Sequence, residues 1–471
     1  VTVPETSETP GNTGTTDNGG ATETTGAAQN PGFAGGAGVA ADPGGPVEAA
    51  PVSLRERLAT DAMLRNSIAI MATTVVTSVF GYVFWLVVAR TSTPAVSGAG
   101  AAATSALQAA ALFAAVGAAA AMVEWLPRST STAQWRSRLT VGVTVATVGG
   151  LLGGVFVVAL LGYALNTLPA LRGPVGGVLF CLGTVFFAVG TVYDYAAVAE
   201  RSGTMMLARN ALFTALRVPL VVLPWLLPGT GDQILTAWTA AAGLSLLLAV
   251  VGFRRSAHGR SLRPALPGFG AALREMRASL LGQHLITVAA MMGTYLLPII
   301  VVARVSPEAN AYFYATWMLG AVFFMVSPAV STSLFAAAAE DPAAVAGAAR
   351  RGLRIIGALL VAPILVYLLG GGLLLSLFGP EYPGQGRLLL VLLTLSAIPD
   401  ALTNVAVAVL RATTRLRAAL WLNLSMLLAS LVASWFLLPS LGIAAVGWSW
   451  LGAQTVGALW VVVSWRRITT P

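Results

Sequence analysis

From residue 66 onward the chain alternates between long apolar runs and short polar gaps that hold nearly all of its arginines. A helix rises ~1.5 Å per residue, so about 20 apolar residues cross the ~30 Å of hydrocarbon in a bilayer. Twelve runs meet that length, at about 66–89, 98–123, 139–163, 175–199, 208–228, 233–253, 280–303, 311–336, 354–378, 388–410, 418–438 and 442–464. The pattern predicts an all-α, polytopic membrane protein of about twelve transmembrane helices. The second run, "GAGAAATSALQAAALFAAVGAAAAMV", is rich in small residues that let helix backbones approach closely.

Residues 1 to about 52 read differently. They are rich in Thr, Gly, Pro and Ala, with six acids and no base. Such a segment cannot bury enough apolar surface to offset its ordering entropy, which predicts a disordered tail. Ser53 and Glu56 in "SLRERLATDAMLR" fit a capping box, and Leu54 and Leu58 share a face, so a short surface helix is expected there.

Composition sharpens this picture. The chain is 56% hydrophobic and only 10% charged, with a mean hydropathy of +0.80, which excludes an ordinary water-soluble domain. The net charge of +9 comes with no lysine at all. It does not point to nucleic acid, because the arginines sit in the gaps between spans, where they set topology. With the tail placed inside, 22 of the 27 arginines fall at inner positions and four at outer ones, leaving Arg217 within a span. Both termini are therefore expected in the cytoplasm, with the chain in the plasma membrane. The single cysteine, Cys181, rules out an internal disulfide.

A repeat runs through the pattern. "LVVARTSTPA" (86–95) closes the first span and "IVVARVSPEA" (300–309) closes the seventh. "LRERLAT" (54–60) and "LREMRAS" (273–279) precede those spans, and Phe269, Leu273, Met276 and Leu280 predict a second surface helix. The longest gap, 254–279, divides the spans six and six. After six crossings the chain is back on its starting side, so the halves are parallel repeats. The expected organisation is a tail at 1–52, a first six-helix lobe at 53–256 and a second at 257–471.

On "RNSIAIMATTVVTSVFGYVFWLVVAR" (65–90), "LLLSLFGPEYPGQGRLLLVLLTLSAIPDAL" (373–402) and "LRATTRLRAALWLNLSMLLASLVASWFLLPSLGIAAVGWSW" (410–450), the chain resembles the multidrug/oligosaccharidyl-lipid/polysaccharide (MOP) exporter superfamily. Within it, the resemblance is nearest to the polysaccharide (Wzx-like) flippases, over about residues 53–467. It departs from them after the first span, where "PAVSGAG" replaces the usual Tyr-Gly. It also lacks the extra pair of spans of the fourteen-span lipid II flippases. The resemblance implies two six-helix lobes rocking about a central cavity, with a polyprenyl-linked sugar as the substrate and the bilayer as its surroundings.

Ionisable residues inside spans are expensive and so mark candidate sites. Asp400 follows Pro399 near the middle of the tenth span, roughly 15–18 Å from either end. It is a candidate ion-coupling carboxylate, or an acid satisfied by Asn404 one turn on. Arg217 lies about 12 Å past Arg209, and Asp194 about 9 Å before Glu200, on consecutive spans. Those depths permit an Asp194–Arg217 pair, either fixing two helices or presenting the guanidinium to a substrate phosphate. Gln108 is a sugar contact or an interhelical hydrogen bond. Glu124, Gln283 and His284 lie near the inner ends of their spans, while Arg90 and Arg304 at the outer rims are expected to snorkel. No metal-ligand cluster, nucleotide loop or nucleophile pairing is present, so no cofactor is expected.

Three functions fit to different degrees. The first is a flippase carrying a lipid-linked oligosaccharide or polysaccharide precursor outward for cell-envelope synthesis, with glycosyltransferase or polymerase partners. An ion-coupled multidrug antiporter of the same fold is the alternative, weakened by the lack of an acid in the first span. A membrane glycosyltransferase or polymerase would need charged residues on sizeable outer loops, and these are short, so an enzyme is not expected.

Overall fold

The computed structural model describes residues 62–115, 117–223, 232–255, 264–328, 330–331, 345–413 and 415–469. The tail and the helix expected at Ser53 lie outside them. The described residues form α1 (Ala62–Thr91), α2 (Pro94–Ala114), α3 (Ala118–Trp125), α4 (Thr132–Val157), α5 (Pro174–Ala199), α6 (Gly203–Val222) and α7 (Asp232–Arg255). There follow α8 (Phe269–Arg304), α9 (Pro307–Gly320), α10 (Val345–Ser376), α11 (Tyr382–Ala412), α12 (Leu416–Leu441) and α13 (Ala444–Thr469). Among the described residues eleven helices are long and apolar enough to cross a membrane. Helix α8, at 36 residues, runs through the position of the expected seventh span, with Met292–Arg304 as a shorter apolar stretch at its end.

Three expectations change in detail. The second span is broken, with α2 ending at Ala114 and α3 starting after Gly117, whose φ of 71° is a left-handed conformation that glycine adopts without steric cost. The third span finishes as a π-helix, Val158–Ala164. The surface helix expected near Phe269 is instead the first turns of α8, continuous with the span. Its buried Ala272 and Met276 pack with Trp135 and Leu139 of α4 rather than facing lipid. Arg138 of α4 pairs with Glu275 at 3.0 Å, and Ser137 Oγ donates to the Pro267 carbonyl at 2.9 Å. These polar contacts fasten the start of the second set of spans to the first.

The duplicated "VVAR" now has a local cause. Each copy ends a span, and a Ser or Thr followed by Pro starts the next. Thr93 Oγ1 accepts from Val96 N, and Ser306 Oγ accepts from Ala309 N at 3.1 Å. Pro94 and Pro307 stand at the first helical position, where no backbone donor is needed. The two helices so started, α2 and α9, cross each other. A Cβ at Gly98 would overlap the carbonyl oxygen of Pro307 and stand 2.7 Å from Ala311 N, so the crossing is backbone on backbone. The Asn310 side chain, fully buried, donates across it to the Gly98 carbonyl at 2.7 Å.

Burial sorts the helices by position. In α2, 72% of the apolar stretch is buried, against 17% in α10 and in α12, which turn leucine, valine and isoleucine outward. The alanine-rich helix is therefore central, and the leucine-rich ones form the lipid-facing wall.

Candidate substrate and ion sites

Arg217 is 4% exposed on α6. A guanidinium at that depth costs ~2.5–3.5 kcal/mol on insertion scales, so something must offset it. Three aromatic rings surround it. Phe213, one turn earlier on α6, lies 4.6 Å from the guanidinium carbon, Trp238 of α7 lies at 4.5 Å and Phe84 of α1 at 5.0 Å. Each desolvated cation–π contact contributes ~0.5–2 kcal/mol, so three rings match the cost without a carboxylate. Among the described residues no acid lies within ion-pair distance of Arg217. Among the described residues its Nε meets no hydrogen-bond acceptor, and neither does the buried indole Nε1 of Trp238. Two buried N–H donors in one cluster thus lack an oxygen partner, a costly condition unless an acceptor arrives.

Asp194 does not supply that acceptor, which corrects the pairing expected from depth. Its carboxylate takes both arms of Arg209: Nε donates to Oδ1 at 2.5 Å, and an Nη donates to Oδ2. Asn210 Nδ2 adds a bond to Oδ2 at 3.0 Å. Helical geometry decides between the two arginines. Arg209 lies in the second turn of α6, level with Asp194 in the penultimate turn of α5, whereas Arg217 lies two turns deeper. Asp194 therefore joins α5 to α6 and does not position Arg217.

The second site is Asp400, 5% exposed on α11. Gln454 Nε2 of α13 approaches its Oδ1 at 3.4 Å, while Thr403 Oγ1 donates to Gln454 Oε1 at 3.0 Å and fixes that amide. Ser327, from the stretch following α9, and Asn404 flank the carboxyl. Oδ2 makes no hydrogen bond of ordinary geometry among the described residues. Asn404 donates its amide to the Asp400 backbone carbonyl at 3.0 Å and stands beside the carboxyl, as its spacing suggested.

The other candidates make local contacts or lie outside the described side chains. Gln108 donates to Thr104 O on its own helix at 3.2 Å. Glu124 pairs with Arg128 four residues on, at an exposed end. The side chains of Gln283 and His284 lie outside the described residues. Arg90 does not merely snorkel. Its Nε donates to Leu377 O at 2.6 Å and an Nη to Ser376 O at 3.0 Å, tying the end of α1 to the end of α10. Arg304 Nε donates to Trp435 O at 3.0 Å and stacks on that ring.

Together with the Gly98–Pro307 crossing, the Arg90 contacts close the face with few arginines. A small cleft remains between the two sets of spans, lined by Trp85, Ser97, Tyr314, Phe378 and Tyr382 among others. Trp85 packs 5.2 Å from Phe84 of the arginine cluster and 4.7 Å from Tyr314. The cleft and Arg217 are thus parts of one aromatic region. Sequence reading found the arginine but not its box. The legible signal was Phe213 four residues before Arg217, while Phe84 and Trp238 come from spans whose packing no local pattern reveals.

No family model matches the sequence, and no characterised protein matches it in sequence. Solved structures do match in fold. An inward-facing multidrug resistance MATE family transporter of the MOP superfamily superimposes with a TM-score of 0.62 at 14% identity, over 87% of this chain and 98% of that one. The lipid II flippase MurJ in an inward closed conformation gives 0.68 at 10% identity, over 86% and 87%. A MOP superfamily transporter from Pyrococcus furiosus, described as having a binding pocket of reversed polarity, gives 0.56 at 16% identity, over 87% and 96%. The chain has the fold of the MOP exporters.

Proposed function

We propose that this chain is a membrane transporter that moves a lipid-linked oligosaccharide or polysaccharide precursor between leaflets by alternating access. The observation that carries this reading is the Arg217 cluster: a buried cation held by rings, with two N–H donors awaiting an oxygen acceptor. A phosphoryl group on a polyprenyl carrier has the charge and the oxygens to meet them. The guanidinium and indole donors would bind that group, and the rings would shield the site from water. MurJ, whose fold this chain shares, is a lipid II flippase, which makes a lipid-linked cargo a natural choice for this architecture. Residues 53–256 and 257–471 act as the two lobes in this reading, with both termini in the cytoplasm of a cell whose plasma membrane houses the protein. Glycosyltransferases or a polymerase would supply and consume the cargo.

A second reading draws on Asp400. A buried acid with one oxygen free of ordinary hydrogen bonds among the described residues suits an ion-coupled antiporter, and MATE transporters share the fold. The readings separate in proteoliposomes. With a fluorescent polyprenyl-pyrophosphoryl sugar, wild type should move label between leaflets and Arg217→Ala should not, with folding intact by gel filtration. Full transport in the Ala variant, or export of cationic dyes that outcompetes the lipid, would give the site to the antiporter.

A further inference from the structure

Arg217 belongs to the first six spans, yet the aromatic seam that starts at its box runs on to a residue of the last six. That residue is Tyr314, on α9. Its ring packs 4.7 Å from that of Trp85, which in turn touches Phe84 of the arginine box, and it lines the cleft between the two sets of spans. Its placement follows from the α2–α9 crossing. Asn310 and Ala311, one turn before Tyr314, are the residues locked against Gly98. Tyr314 therefore stands on the same stretch of α9 that makes the crossing.

We infer that Tyr314 is the second-half contribution to the Arg217 anion site: its phenol hydroxyl donates to the same phosphoryl oxygens, and it is withdrawn when α9 leaves α2. This rests on the phosphate reading of Arg217 given above. The arrangement would give the site two affinities. With the crossing closed, guanidinium and phenol both face the anion. With it open, α9 carries the phenol away and one donor is lost from a low-dielectric site, where a hydrogen bond to a charged group weighs most. Release toward the arginine-poor face would then follow from separation of the halves, without any change at Arg217. A tyrosine suits this role, because its ring keeps the aromatic seam filled in either state while its hydroxyl alone reads the anion.

The test uses the full chain in nanodiscs and two probes, a polyprenyl phosphate and the corresponding uncharged polyprenol. Wild type should prefer the phosphate. Tyr314→Phe keeps the ring and removes the donor, and should reduce that preference about three- to tenfold, the worth of one hydrogen bond. Polyprenol binding should stay unchanged. In an Arg217→Ala background the same substitution should have no further effect, because the two donors share one anion. Displacement of the phosphate probe by inorganic pyrophosphate supports a site that reads the free anion. Failure to displace it, with the preference kept, supports one that reads the anion on its lipid. Equal losses for phosphate and alcohol, or additive losses in the double variant, would overturn the inference in favour of a packing role. Arg217→Ala with full phosphate preference would instead overturn the functional reading itself, whatever Tyr314 does.

Discussion

Arg209 gives both arms of its guanidinium to Asp194, and Asn210 adds a third donor to the same carboxylate. The pair is about nine-tenths buried on both sides. Because Asp194 is fully occupied there, the charge of Arg217 two turns deeper is left to aromatic rings. The two arginines of α6 thus divide their work, one joining helices and one facing the cleft region.

The first prediction follows from that division. Removing one partner of a buried pair leaves the other charged and unpaired, at a cost of ~3–5 kcal/mol. Asp194→Ala and Arg209→Ala should each lower protein yield and thermal stability in detergent. Exchanging the residues, Asp194→Arg with Arg209→Asp, should recover much of the loss. Exchanging Asp194 with Arg217 should recover none. Rescue by the second exchange and not the first would mean that α5 and α6 pair in a different register.

A second prediction concerns the crossing of α2 and α9. A side chain at Gly98 cannot coexist with the Pro307 carbonyl where it lies. Gly98→Val should hold the arginine-poor face open, while Asn310→Ala, losing one interhelical hydrogen bond worth ~0.6–1.7 kcal/mol, should only bias it. Spin labels at Thr91 and Glu308, both exposed near this face, report the separation in a Cys181→Ser background. The valine variant should give the longer distance distribution and the alanine variant a mixture. An unshifted distribution in Gly98→Val would show that the helices part without disturbing their neighbours.

How far the sequence carried this picture varies by residue. The all-helical, many-span architecture was legible because hydrophobic length is a property of the chain alone, and eleven such helices stand among the described residues. Thr93-Pro94 and Ser306-Pro307 start their helices a turn before the expected bounds of 98 and 311, because a polar cap and a proline lie outside the apolar run that hydropathy detects. Asp194 was visible as a buried acid, but its partner was not. Depth along a helix allowed Arg217, and only the level of α5 against α6 selects Arg209. The breaks at Gly117 and Val158 were hidden inside continuous apolar runs, where hydropathy stays high whatever the backbone does. Phe84 and Trp238 read as ordinary span residues until packing brings them to Arg217.

The arginine distribution yields a third prediction, on orientation. Arg172 and Arg350 are both exposed and lie at opposite ends of the bundle. The excess of arginine at the end carrying Arg350 predicts that this end faces the cytoplasm. With single cysteines in a Cys181→Ser background, an impermeant maleimide added to intact cells should label position 172 and spare 350. Labelling of 350 alone would invert the topology, and with it the direction of transport proposed here.

The final prediction concerns Asp400. Its Oδ1 meets the amide of Gln454, whose other end is fixed by Thr403, while Oδ2 has no partner of ordinary geometry among the described residues. An acid so placed has room for a proton or a small cation on one oxygen, and a charged carboxylate at this depth is costly enough to invite one. Asp400→Asn keeps the shape and removes the charge. If Asp400 couples transport to an ion gradient, this variant should fold normally yet lose the dependence of transport on that gradient, with a fall in rate of tenfold or more. Gln454→Ala should give a milder version, because it frees Oδ1 without removing the carboxylate. Measuring leaflet-to-leaflet movement in proteoliposomes under imposed proton and sodium gradients separates the ions. A variant that keeps full, gradient-dependent transport would show that the carboxylate is a structural group of α11, and coupling would then have to lie elsewhere in the last six spans or be absent.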